Sequence, residues 1–196
     1  MSHAPIETAR SAVLVMDYQG GILGGRSDAE ELVGRATQLL EAVRSKGGHA
    51  GYVRVGFDDA DYDALPSHSR FAPIAADEKM RAAMHADAPT TQIDDRVAPQ
   101  DGDIVVRKTR VGPFSSTDLD QQLRSRGVDT VILAGLTTAG VVLSTVRQAA
   151  DLDYRVVVAA DACADPDPEV HSVLVEKVFP RQADVASTDE VIGLLA

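Results

Sequence analysis

The sequence predicts an α/β domain of three layers, helix–sheet–helix, built on a mainly parallel central sheet and spanning residues 1–196. Three observations predict it. Short, nearly continuous apolar runs recur along the chain, as strands buried on both faces require. Between them lie stretches in which apolar residues return every three to four positions, the helical period. The two kinds of segment alternate, which requires right-handed crossovers and helices on both faces of one sheet.

The elements follow in order. Ala12–Asp17 (AVLVMD) reads as the first strand, and Gly20, Gly21, Gly24 and Gly25 as the loop after it. Ser27 or Asp28 can cap the next helix, where Leu32, Val33, Ala36, Leu39, Leu40 and Val43 form one apolar face. Lys46-Gly47-Gly48 ends it, and His49–Val55 is the second strand. Phe57–Thr91 reads as a long loop holding one short helix near Asp77–His85. Ile104–Arg107 is the third strand, residues 117–126 a helix closed by Gly127, and Thr130–Ala134 the fourth strand. Gly135–Gly140 connects tightly to a helix over 141–152. Tyr154–Ala160 is the fifth strand, followed by a helix over 168–177, a short strand at Ala183–Ala186 and a last helix after Ser187.

Composition narrows the function classes. The 196 residues carry 19 Lys+Arg against 30 Asp+Glu, a formal net charge of −11. That balance argues against a nucleic-acid partner and against an anionic membrane surface. Hydrophobic residues make up 44 %, too many for a chain disordered throughout. No apolar run reaches the length of a membrane span, and Met1–Arg10 does not read as a signal peptide. The single cysteine, Cys163, forms no internal disulfide, which suits a reducing cytoplasm.

In a sheet of this kind the ligand sits beyond the carboxyl ends of the strands, so the residues ending the strands matter most. The first strand ends in Asp17, the third runs into Lys108, and the fourth into Gly135-Leu136-Thr137-Thr138. A carboxylate and an ammonium on one sheet edge can be tuned for proton transfer. The alternative, a turn-capping Asp17 and a solvated Lys108, stands level with it on spacing alone.

Three blocks, Ala12–Gln19 (AVLVMDYQ), Val105–Asp118 (VVRKTRVGPFSSTD) and Val131–Thr145 (VILAGLTTAGVVLST), occur in this order with Tyr154–Ala164 (YRVVVAADACA) after them. Together they resemble the isochorismatase-like, or cysteine hydrolase, superfamily over nearly the whole chain. The resemblance implies a Rossmann-like domain and a catalytic Asp, Lys and Cys, with Asp17 and Lys108 matching the first two. At the cysteine position the chain carries Val141, which has no reactive atom. Cys163 falls in a different block and reads as a small buried hydrophobe.

Thioester chemistry is therefore excluded at that position. One branch of the superfamily also lacks the thiol and hydrolyses a vinyl ether with the aspartate as general acid. That branch carries an aromatic and a histidine in the turn, where this chain has Thr137 and Ala139. The resemblance further implies a cis Leu136–Thr137 peptide and an oxyanion hole made by the Thr137 and Val141 amides. Gln19 and Phe114 match pocket positions, Thr138 lies in the same turn, and Phe57 and Arg70 are further candidates for pocket walls or an anion anchor.

No metal and no cofactor is expected. Asp58, Asp59, Asp61 and Asp63, with His68 downstream, lack the ligand spacing of the metal-dependent branch, and His3, His49, His85 and His171 are scattered. The expected partner is a small-molecule substrate, and the resemblance implies a homo-oligomer. Three functional readings follow: a hydrolase using Asp17 as general acid or base beside Lys108; an inactive binding or interaction module; and a hydrolase with a relocated nucleophile such as Thr138 or Ser144.

Overall fold

The computed structural model describes residues 4–196, so His3 lies outside the described residues. Six strands form one sheet: β1 (Ser11–Met16), β2 (His49–Val55), β3 (Ile104–Lys108), β4 (Thr130–Leu136), β5 (Arg155–Ala164) and β6 (Asp184–Ala186). Their order is β3-β2-β1-β4-β5-β6, with every neighbouring pair parallel. Strand direction and order together confirm the α/β/α prediction.

The two-residue side-chain period divides the core in two. From β1, Val13 and Val15 enter one cluster, and Ala12, Leu14 and Met16 the other. The first cluster is closed by α1 (Ala29–Ser45), where the six apolar positions of the helical period are all buried. The second is closed by α2 (Leu119–Ser125) and α3 (Leu143–Asp151). After β5 comes α4 (Pro168–Val173), and α5 (Thr188–Leu194) returns to the first face through Val191. Strand order reverses between β1 and β4, the point at which sheets of this kind take their ligands, beyond the carboxyl ends of the strands.

Four local expectations are corrected. Gly20–Leu23 is a single helical turn rather than loop. The stretch from Phe57 to Thr91 holds three short α-helices, Asp59–Asp63, Ala72–Ala76 and Glu78–Ala83, in place of one. They form because Phe57, Tyr62 and Phe71 stack into a small core of their own, and because Asp58 and Asp77 cap two of the helices. The fifth strand does not stop at Ala160 but continues to Ala164 through a bulge, since Leu133 pairs with Val158 and Gly135 with Cys163. The helix after β4 begins earlier than Val141, as a π-helical turn over Thr138–Val142. Among the described residues, no helix is long and apolar enough to cross a membrane.

Candidate active site

Lys108 pairs in register with Val55 of β2, and β2 in turn lies beside β1. Lys108 must therefore reach across a whole strand, about 10 Å, to meet a group following β1. Only a long side chain does so. Its Nζ lies 2.9 Å from Asp17 Oδ2. Residues of one parity on β3, Ile104 and Val106, point to the second core. Strict alternation from Val13 and Val15 would send Asp17 to the first. Asp17 departs from it with a left-handed backbone, φ 61°, at the point where its carboxylate turns to meet Lys108.

The pair is deeply buried: Asp17 is 5 % exposed and Lys108 3 %. Burial pushes the Asp17 carboxyl from 3.8 up to about 6; the charge and hydrogen bond of Lys108 pull it the other way and lose. Asp17 Oδ1 has no hydrogen-bond partner among the described residues. Such an oxygen is where a proton rests with least cost, since a bare buried carboxylate oxygen is expensive.

The turn after β4 lies alongside. Met16 pairs with Gly135, so the next residues, Asp17 and Leu136, are neighbours. The Leu136–Thr137 peptide is cis. Thr138 is fully buried, and Val141, 2 % exposed, packs in the second core with Leu14 and Met16. Val141 is thus a packing residue, and its carbonyl accepts from the Thr145 hydroxyl at 2.7 Å.

The remaining site expectations divide. Gln19 is buried, but its amide is spent on backbone: it accepts from Val55 N–H at 2.8 Å and donates to the Val55 and Thr91 carbonyls. It ties β2 to the segment before Gln92. Phe57 sits in the small separate core, stacked on Tyr62. Arg70 is exposed and makes no hydrogen bond or ion pair with the described residues. Phe114 packs against the second core, its ring 5.9 Å from that of Tyr154. The structure brings together Asp17, Lys108 and the 137–141 turn; Phe114 packs against the core that holds Val141, and Phe57 follows Gly56, whose N–H donates to the Lys108 carbonyl.

Two further groups meet the turn that spacing did not reveal: the Thr138 hydroxyl lies 2.8 Å from His171 Nδ1, and Ala139 N–H donates to Asp165 Oδ2. The partners are 33 and 26 residues apart, too far for any local pattern. The acidic run near Asp58 is engaged otherwise: Asp58 and Asp61 bind Arg107, and Asp59 binds Arg81. Among the described residues, no group of three or more His, Cys, Asp or Glu side chains is placed to hold a metal ion. Cavities of about 590 and 400 Å³ open elsewhere, beside Arg81 and His85 and beside Ser144 and Gln148.

Cys163 lies in β5 against the Leu133 carbonyl, and burial pushes its thiol up to about 12. Native protein at about pH 8 should therefore show no thiol reactive toward an aromatic disulfide, and guanidinium-unfolded protein one. Rapid labelling of the native chain would contradict this placement.

Comparison with known proteins identifies the family of the chain. The model of the isochorismatase domain matches residues 11–190. The isochorismatase family protein YecD of Escherichia coli O157:H7 is 36 % identical over 188 residues, 94 % of this chain and 96 % of that protein. N-carbamoylsarcosine amidase of an Arthrobacter species is 30 % identical over 166 residues, covering 85 % of this chain and 62 % of the amidase. A cysteine hydrolase from Pseudomonas syringae pv. phaseolicola superposes with a TM-score of 0.85 at 26 % identity, covering 98 % of this chain and 95 % of that one. By domain match, relatives and fold, the chain belongs to the isochorismatase family.

Proposed function

We propose that this protein is a single-domain hydrolase of a small molecule, with Asp17 as general acid, Lys108 as its charged partner and no covalent acyl-enzyme. The observation that carries the reading is the Asp17 carboxyl: buried, raised to about 6, one oxygen on Lys108 and the other unpartnered. A carboxyl of that kind holds a transferable proton near neutral pH. Val141 removes the nucleophile that an amide needs, so the substrate is one whose bond breaks on protonation alone.

A vinyl ether fits. Asp17 gives its proton to the alkene carbon and becomes a carboxylate facing Lys108, while the ether oxygen and adjacent carbon share the positive charge. Water adds to that carbon and returns a proton to Asp17, and the hemiketal collapses to a carbonyl compound and an alcohol. Because the acid form does the work, kcat/KM should fall as pH rises through about 6, the value at which Asp17 ionises. A base would give the opposite limb.

The decisive experiment is a panel of vinyl ethers, esters and amides, assayed with the wild type and with Asp17→Asn. Turnover of a vinyl ether by the wild type, without a burst and with the descending limb, is expected. Amide hydrolysis passing through an acyl intermediate on Thr138 or Ser144 would replace the reading with a relocated nucleophile. A second reading, a family member that binds without turnover, is favoured by the near-complete burial of Asp17, Lys108 and Val141. It predicts a silent panel.

A further inference from the structure

The turn after β4 is held from outside as well as from within. Inside it, the N–H groups of Gly140 and Val142 both donate to the Thr137 carbonyl, at 3.1 and 3.3 Å. A Cβ at Gly140 would approach Thr137 Oγ1 to 2.8 Å, so the turn is tight on that side. From outside, the chain between β5 and α4, with α4 itself, supplies two bonds. Asp165 Oδ2 accepts from Ala139 N–H at 2.8 Å, and His171 Nδ1 meets the Thr138 hydroxyl at the same distance. This brace is itself fixed: Asp167 N–H donates to Asp165 Oδ1, and the Asp167 carboxylate caps α4 at Glu169 and Val170.

We propose that His171 is a positioning residue of this site, accepting the Thr138 hydroxyl at Nδ1 as a neutral imidazole and fixing, with Asp165, the turn beside Asp17. Its importance for turnover rests on the reading above; its hold on the turn does not. Thr138 is fully buried, so its O–H needs an acceptor inside the protein. A neutral imidazole with its proton on Nε2 offers one at Nδ1, and an imidazolium offers none. Burial lowers the His171 pKa below 6.5 and outweighs the opposing charge of Asp165, which keeps the ring neutral at physiological pH. The brace joins two strand ends, those of β4 and β5, that lie next to each other in the sheet. Losing it would free the backbone that flanks the Asp17–Lys108 pair.

The test compares His171→Leu, which removes the acceptor, with His171→Asn, whose side-chain oxygen can take the place of Nδ1. Nitrogen-15 NMR of the full chain reads the tautomer, amide exchange reads residues 138–142, and steady-state kinetics use the substrate found in the panel. In the wild type the His171 proton is expected on Nε2. Exchange in the turn should rise about tenfold in His171→Leu and stay near wild type in His171→Asn. With the same variants kcat should fall about tenfold and recover, at unchanged KM. A proton on Nδ1, or equal behaviour of Leu and Asn, overturns the proposal. Should the panel yield no substrate, the functional reading fails, while tautomer and exchange still decide the positioning. Should His171→Leu not fold, Thr138→Val tests the same bond: exchange must rise about tenfold, and unchanged exchange overturns the proposal.

Discussion

Asp17→Asn is expected to lower kcat/KM by about 10²–10⁴-fold, the contribution of a positioned proton donor. Asparagine keeps the size and an oxygen for Lys108 Nζ, so the loss reflects the proton and not the packing. The same substitution has a second readout in stability. Because burial raises Asp17 from 3.8 to about 6, the folded chain binds this proton more tightly than the unfolded one. The favourable contribution is complete below about pH 4 and is lost as pH rises through about 6, a change on the order of 3 kcal/mol. Asn has no such proton. The stability difference between wild type and variant should thus move toward the variant over that window, whatever constant offset the weakened contact with Lys108 adds. Urea titrations near pH 4 and pH 7 measure it. Full turnover in Asp17→Asn, or a difference that does not change with pH, removes Asp17 from its role.

The second large effect concerns the partner. Lys108→Met keeps the length of the stem but leaves Asp17 buried with no cation. Breaking a buried pair from one side costs about 3–5 kcal/mol, because the remaining charge is uncompensated. Here the remaining charge can disappear. Without Lys108 the opposing pull on Asp17 is gone, burial acts alone, and the carboxyl ionises at still higher pH. The destabilisation should therefore be full near pH 8 and much smaller near pH 5, where Asp17 takes up a proton. The descending limb of kcat/KM should shift to higher pH in the same variant. A double variant, Asp17→Leu with Lys108→Met, should recover most of the stability, since two apolar side chains replace the pair. A loss equal at both pH values would show that the two groups are not coupled.

How much of this was legible in advance depends on the range of the forces involved. α1 was fully legible, because burial of a helix face follows from the local period, and Leu32, Val33, Ala36, Leu39, Leu40 and Val43 are the residues buried. The strands were legible within a few residues for the same reason. The three short helices after Phe57 were not. Their order comes from Phe57 meeting Tyr62 and Phe71, a contact between positions with no shared period. The end of β5 was missed because a bulge continues pairing past the point where the apolar run weakens.

The sequence by itself determined the layer architecture, the presence of Asp17 and Lys108 at strand ends, and the absence of a thiol at Val141. These are matters of residue identity and local pattern. Tertiary structure alone decided that Lys108 crosses β2 to reach Asp17, that a left-handed backbone turns the carboxylate toward it, and that both are almost sealed from solvent. It also decided that His171 and Asp165 hold the turn after β4. The physical reason is the same in each case. A proton affinity and a hydrogen bond depend on what surrounds a group in space, and those surroundings come from segments far apart along the chain.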